Sequence, residues 1–259
     1  MYFCSISSGS SGNCIFIGSN KTKVLIDVGV SRKFIEDSLI KIKNTPYDIK
    51  GVLITHEHMD HYKGVSVLCK KYNIPVFINN LTYEAMKYKL QEIKNINIIE
   101  KSEFSIGDLD IKTFSLPHDA ADPIGYSIIN SNKKISIATD LGYVSQEVFD
   151  NLKDSNIVLI ESNYNEEMVK MSSYPYFLKQ RILSGVGHLS NEECGKVIVE
   201  LIKNFPKKII LGHLSTTNNF PELAYKTVEE ILNRNSLKIG KDLELTVAHR
   251  NLPSNYMRI

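Results

Sequence analysis

The short apolar run Gly51-Val-Leu-Ile-Thr55 ends in His56-Glu57-His58-Met59-Asp60-His61. Three imidazoles and a carboxylate within six residues suit a divalent cation such as zinc. The run reads as a buried strand, so the ligands fall at a strand end and in the turn that follows. Two ligands spaced i, i+2 and then two adjacent ones can face two different ions. A pair of ions about 3.5–4 Å apart is a hydrolytic device that clamps attacking and leaving oxygens together.

The same placement recurs along the chain. His118 follows the strand ending at Leu116-Pro117, Asp140 follows Ile135-Ser-Ile-Ala-Thr139, and His213 follows Ile209-Ile-Leu-Gly212. A lone His or Asp after a strand is more often a cap or a surface residue. Together these positions share one logic, because residues at strand ends can converge at one sheet edge and build a site there.

β-rich blocks alternate with single helices. Strands are expected at Tyr2–Ser7, Cys14–Gly18, Lys23–Val28, Lys50–Thr55, Val76–Asn79, Phe104–Ile106, Leu109–Leu116, Gly125–Ile129, Lys134–Ala138, Ile157–Ile160, Lys208–Leu211 and, last, Leu243–Val247. Gly107-Asp108 and Asn130-Ser-Asn132 read as hairpin turns. Helical spacing marks Arg32–Ile42 (with Ser31 as N-cap), Val65–Tyr72, Leu81–Ile93, Gln146–Leu152, Asn191–Asn204 and Glu222–Asn233. No repeat, linker or low-complexity tract interrupts the pattern. It predicts an α/β protein of one domain over residues 1–259: two sheets face to face with helices outside, a four-layer αββα sandwich.

The residues His56-x-His58-x-Asp60-His61, His118, Asp140 and His213, in that order, resemble the five motifs of the metallo-β-lactamase fold superfamily. Asp27 in Leu25-Ile-Asp-Val-Gly29 matches that fold's early structural aspartate. The resemblance spans nearly the whole chain and implies roles. His56, His58 and His118 would hold one metal, and Asp60, His61 and His213 a second. Asp140 would bridge both, and a bridging water, activated to hydroxide, would be the nucleophile. Zinc is the first expectation for the two divalent ions, with manganese or iron as alternatives, because histidine and carboxylate suit all three. The alternative role for any of these groups is hydrogen bonding to a ligand; His213 has the least diagnostic motif.

Three further segments surround the ligands. Ser7-Ser-Gly-Ser10-Ser11-Gly-Asn13 is a Ser/Gly turn that either cradles a phosphate or simply closes a hairpin. Glu161 follows the strand Ile157–Ile160. His188, in Gly185-Val-Gly-His-Leu-Ser190, precedes a helix capped by Ser190 or Asn191. It is placed either to meet an anionic oxygen and protonate a leaving alkoxide or to structure a glycine turn. Tyr164, Tyr174, Tyr176 and Phe177 lie between them, as a stacking surface for single strands or as packing for a small lid. The Ser/Gly turn, the Ser115–Pro123 segment and Ser184–Asn191 resemble the YycJ (WalJ/VicX) group of the superfamily. That group is cytoplasmic, is associated with a cell-wall two-component operon, and is described as 5′→3′ DNA exonucleases. Glu161 and His188 also resemble the extra motifs of RNase Z-like phosphodiesterases. The long exosite arm of that enzyme, and the β-CASP cap between Asp140 and His213, have no counterpart here.

Composition limits the alternatives less sharply. Hydrophobic content of 42%, charged content of 23% and a net charge of +2 suit a soluble globular protein and do not announce a nucleic-acid binder. The N-terminus lacks a basic segment followed by an apolar core, and no run is long enough to span a bilayer. Cys4, Cys14, Cys69 and Cys194 form no CxxC pair and read as free thiols in a reducing cytoplasm. The expectation is a dinuclear metallohydrolase cleaving phosphodiesters, with DNA ends as substrate. Asp60, Asp140, Glu161 and His188 are the candidate catalytic residues; Ser10, Ser11, Asn13, His188 and Ser190 are the candidate substrate contacts. The alternatives are a small-molecule esterase, thiolesterase or lactonase with the same metals, and a non-catalytic regulatory protein. His61 and the lack of a signal segment argue against antibiotic hydrolysis. His249 is not expected to be a ligand.

Overall fold

The apolar runs fold as two seven-stranded sheets in a computed structural model that describes residues 1–203 and 207–259. The first sheet holds β1 (Tyr2–Ser7), β2 (Cys14–Gly18), β3 (Lys23–Ile26), β4 (Ile49–Leu53), β5 (Val76–Asn79), β6 (Ile96–Ile99) and β14 (Ser254–Arg258). Its order is β14-β1-β2-β3-β4-β5-β6. The second holds β7 (Glu103–Ile106), β8 (Leu109–Ser115), β9 (Ile124–Asn130), β10 (Lys133–Ala138), β11 (Ile157–Glu161), β12 (Lys207–Gly212) and β13 (Leu243–Val247), in the order β13-β12-β11-β10-β9-β8-β7. In both sheets the early strands pair antiparallel and those that follow pair parallel, β3-β4-β5-β6 in one and β10-β11-β12-β13 in the other; only β14 returns to pair antiparallel.

Side-chain alternation builds the layers. Val24 and Ile26 of β3 face the second sheet, where they meet Tyr126, Ile137, Ile157 and Leu159 in a core between the sheets. Leu25, between them, faces outward to helices α1 (Arg32–Lys41), α3 (Val65–Tyr72) and α4 (Asn80–Leu90) through Ile35, Leu39, Leu68 and Leu90. On the far side, Val158 and Ile160 of β11 pack on α5 (Gln146–Leu152), α8 (Asn191–Ile202) and α9 (Pro221–Arg234). β11 is buried on both faces, which is why Ile157–Ile160 reads as a continuous apolar run. The αββα sandwich is thus as expected. Ser31, Ser145 and Ser190 cap α1, α5 and α8 by accepting from backbone N–H groups at 3.3, 3.2 and 3.1 Å.

Several boundaries differ from expectation, each for a physical reason. β3 ends at Ile26 because Asp27 turns to a left-handed backbone, φ 58°, and leaves the ladder. The chain does not end its strands at β13; β14 pairs antiparallel with β1. Its sequence Ser-Asn-Tyr-Met-Arg is polar and lies at a sheet edge, so it lacks the apolar signal of an inner strand. β6, a second strand outside the expected set, is only four residues long and lies at the other edge of that sheet, with Asn97 and Ile98 exposed. Asn204, the expected last residue of α8, lies outside the described residues. Between Glu161 and His188 the chain forms two short helices, α6 (Glu166–Met171) and α7 (Tyr176–Ile182). Tyr164 and Tyr174 pack there with Val169, Leu178 and Ile182. Tyr176 and Phe177 remain exposed. Among the described residues no helix is long and apolar enough to cross a membrane.

Candidate metal centre

Parallel strands open their carboxyl ends at a common edge, where open α/β sheets hold their sites. Here both sheets contribute. From the first, β4 leads through Ile54 and Thr55 to His56, and the short helix α2 (Met59–Tyr62) carries Asp60 and His61, with His58 as its N-cap. From the second come His118 beyond β8, Asp140 beyond β10, Glu161 at the end of β11 and His213 beyond β12. Asp27, Asp140 and His213 all adopt left-handed backbone, φ 58°, 62° and 53°. This is an uncommon state for residues with a Cβ, and it occurs where surrounding structure imposes it. The fold enforces close approach at Gly29 too: a Cβ there would sit 1.6 Å from the Asp60 carbonyl oxygen. Only glycine lets α2 settle against that loop.

The outer nitrogens of four imidazoles are tied down, and this decides what faces inward. His61 Nδ1 lies 2.7 Å from Asp27 Oδ2, and His213 Nδ1 lies 2.7 Å from Glu161 Oε1. Ionised carboxylates only accept, so each Nδ1 donates and each Nε2 faces the site, where it can ligate a metal once its proton has left. His118 Nδ1 donates to the Gly187 carbonyl at 2.9 Å. Thr55 Oγ1 donates to Asp27 Oδ2 at 2.9 Å, so it accepts from His56 Nδ1, also at 2.9 Å. His58 turns Nδ1 inward, 3.3 Å from His118 Nε2. Around Asp140 the inward atoms crowd together: His61 Nε2 at 3.1 Å from Oδ2, His213 Nε2 at 3.5 Å and His118 Nε2 at 3.8 Å from Oδ1. Asp60 Oδ2 lies 3.4 Å from His213 Nε2 and 3.5 Å from His61 Nε2.

Lone pairs and carboxylates aimed at one another need a cation between them. His56 Nε2 and Asp140 Oδ2 are buried and make no well-directed hydrogen bond, although His61 Nε2 lies 3.1 Å from that oxygen, so both fit the role of metal ligands. Ligand atoms of His56-His58-His118, of His56-His61-Asp140 and of Asp60-His61-His213 each gather within 4.8 Å of one another. The donor set, imidazole and carboxylate only, fits divalent ions. Electrostatics agree. Burial works against charge on His213, but Asp140, Asp60 and Glu161 outweigh it and raise its pKa to about 10. Burial also opposes charge on His61, where Asp140, Asp27 and Asp60 prevail and raise it well above the usual value. His56 is pushed down, by burial and then by His61. Positive charge is thus favoured at His61 and His213, whereas burial holds His56 and His118 below the usual value.

Glu161 is fully buried and its four hydrogen bonds organise the rear of the site. Oε1 accepts from His188 Nδ1 at 2.9 Å as well as from His213; Oε2 accepts from the backbone of Leu141 and Leu189 at 3.0 and 3.2 Å. It touches both His188 and His213 and fixes their orientation. His188 keeps Nε2 available, and its Nδ1 stands 3.8 Å from Asp140 Oδ1.

A family model described as a beta-lactamase superfamily domain matches residues 22–214. The chain belongs to the metallo-β-lactamase superfamily. It is 37% identical, over 98% of its length and 97% of the relative's, to a Bacillus anthracis protein named Exodeoxyribonuclease YycJ. It is 38% identical to Exodeoxyribonuclease WalJ of Streptococcus pneumoniae serotype 2, strain D39, over 93% of this chain and 91% of the other. The metallo-β-lactamase fold protein YhfI from Bacillus subtilis superposes with a TM-score of 0.73, covering 98% of both chains at 14% identity, which shows the shared fold.

Within that superfamily frame, the expected substrate contacts separate. In the Ser7–Asn13 turn the N–H groups of Ser8, Gly9, Gly12 and Asn13 are all taken by internal acceptors. Ser10 and Ser11 are exposed at the tip of the turn. Asn13 is buried, its amide nitrogen 3.0 Å from His61 Nε2 and 3.3 Å from Asp60 Oδ2. Ser190 is engaged in capping α8. His249 is exposed and sits outside the cluster. Sequence reasoning missed Asn163, whose amide donates to the His213 carbonyl at 2.7 Å, and Thr55, the hydroxyl linking Asp27 to His56. Thr55 borders the His cluster, and that adjacency was the available signal.

Proposed function

We propose that this protein is a dinuclear metal-dependent nuclease that degrades DNA from an end, in the 5′→3′ direction. One observation carries the reading: seven ligand groups, Asp140 among them, gather in overlapping clusters beside a Glu161-oriented His188, in a chain that aligns over nearly its whole length with proteins named exodeoxyribonucleases. His56, His58 and His118 would hold one ion, Asp60, His61 and His213 the other, and Asp140 both, with zinc the first choice and manganese or iron the others. When bound, the ions supply Lewis acidity, which activates water and neutralises charge on the phosphoryl oxygens.

The chain's own residues do the rest. Asp27 and Glu161 fix the tautomers of His61 and His213. His188 keeps Nδ1 on Glu161, which leaves Nε2 as the atom through which a proton would pass to the departing sugar oxygen. Asp60 and Asp140 supply the negative charge that retains the cations. Four unpaired, buried thiols support a reducing, cytoplasmic setting, and the continuous inter-sheet core supports one domain across residues 1–259.

The test is degradation of end-labelled single- and double-stranded DNA and of RNA by pure, metal-loaded protein. All three left intact, with a thiolester or lactone hydrolysed instead, would end the nuclease reading. His188→Ala is expected to lower kcat on DNA by about 10²-fold; wild-type turnover would remove the proton-donor role.

A further inference from the structure

Two cations converge on the exposed tip of the Ser7–Asn13 turn. Arg250 is half-buried; Nη1 donates to Ser11 Oγ at 3.2 Å and Nη2 to the Leu214 carbonyl. Its guanidinium lies against Gly9, where a Cβ would stand 2.7 Å from Nη1. Lys63 donates from Nζ to the Ser11 carbonyl at 2.6 Å. The partners of both are neutral oxygens, and among the described residues neither cation forms an ion pair. Arg181, at the other end of the cluster, is by contrast neutralised by Asp119, with Nη2 2.8 Å from Oδ1.

The turn joins these cations to the metal centre. Ser8 Oγ accepts from the His213 N–H at 2.8 Å, and Asn13 reaches Asp60 Oδ2 at 3.3 Å. Leu214, which receives Arg250, is the next residue after His213. A guanidinium taken partly out of water without a counter-charge carries a desolvation cost that a bound anion offsets. Arg250 has five N–H donors with two engaged, and Lys63 has three with one engaged. Arginine's planar fork matches the oxygens of a phosphate.

We infer that Arg250, Lys63 and the hydroxyls of Ser10 and Ser11 form a subsite for a phosphate group of the substrate other than the one being cleaved. This rests on the nuclease reading and extends it to how a strand is gripped without a cap domain. The phosphate comes either from a terminal monoester or from a neighbouring internal diester.

Binding of a labelled, cleavage-resistant phosphorothioate oligonucleotide to the metal-loaded full chain, followed by fluorescence anisotropy, tests the subsite. Arg250→Gln and Lys63→Gln are each expected to weaken binding about 10-fold and to flatten the dependence of log K on log salt by about one unit. Arg250→Lys should recover part of the affinity. A loss confined to 5′-phosphorylated ends assigns the terminal monoester; an equal loss with 5′-hydroxyl ends assigns the internal diester. Lys63 is exposed, so its variant reports even if the Arg250 variants fold poorly. In turnover, the fall on DNA should exceed the fall on bis(p-nitrophenyl) phosphate by about 10-fold. Wild-type affinity and salt dependence in both glutamine variants would overturn the subsite. A wild-type protein that binds DNA through Arg250 and Lys63 yet never cuts it would overturn the nuclease reading alone.

Discussion

Glu161→Gln isolates the rear of the metal centre. The carboxylate receives four donors, at 2.7 and 2.9 Å on Oε1 and at 3.0 and 3.2 Å on Oε2, and is fully buried. Glutamine offers one accepting oxygen, so its NH2 group must face either the two imidazoles or the two backbone N–H groups. At least two bonds to a charged acceptor are lost, each contributing about 1.5–3 kcal/mol. The lower bound, about 3 kcal/mol, corresponds to a fall in melting temperature of about 6–12 °C for a chain of this size. The strain can relax if the oxygen stays on Leu141 and Leu189 and the imidazoles turn Nδ1 into an acceptor. That tautomer puts a proton on His213 Nε2, where an ion would otherwise bind, and metal affinity should then drop about 10–100-fold. Calorimetric melting with and without metal, alongside elemental analysis, reads both effects. A variant that melts within about 2 °C of wild type and retains its full metal content would refute the positioning role of Glu161.

Asp140→Ala should prevent simultaneous loading of both ions; elemental analysis showing both retained would contradict the bridging assignment. Gly29→Ala forces a methyl into the Asp60 carbonyl and should destabilise the protein by about 3 kcal/mol, seen as an earlier urea midpoint, whereas an unchanged midpoint would contradict the close packing of α2. Burial pushes the thiols of Cys4 and Cys69 up to about 12 and that of Cys14 well above its usual value. All four cysteines should therefore react with a thiol reagent only after denaturation, and rapid labelling of native protein would count against their burial.

The metal cluster was legible because its residues announce themselves locally: His56 to His61 are contiguous, and Asp140 and His213 each close an apolar strand. The layers were legible for the same reason, since Leu25 and its neighbours alternate and Ile157–Ile160 does not. What stayed hidden depends on long-range contact. Arg250 gives no local sign of its place, because its partners Ser11 and Leu214 lie far away in sequence. β14 exists through pairing with β1 and has little hydrophobic pattern of its own. In the Ser/Gly turn the N–H groups of Gly9 and Ser8 donate to Asn13 and His249, partners that the sequence does not reveal.

The division of the site between two sheets also sets an order of assembly. His56 and His213 are more than half of the chain's length apart and arrive on different sheets. During synthesis the His56–His61 hexapeptide emerges early and has, by itself, the makings of a simple chelator. Asp140, Glu161, His188 and His213 come much later, and their left-handed turns and tautomers are set only when the second sheet has closed over the first. The complete ligand set therefore exists only in the finished chain. A chain ended before β12 would lack His213, and with it one of the three groups of the Asp60-His61-His213 cluster and one of the two imidazoles that Glu161 holds.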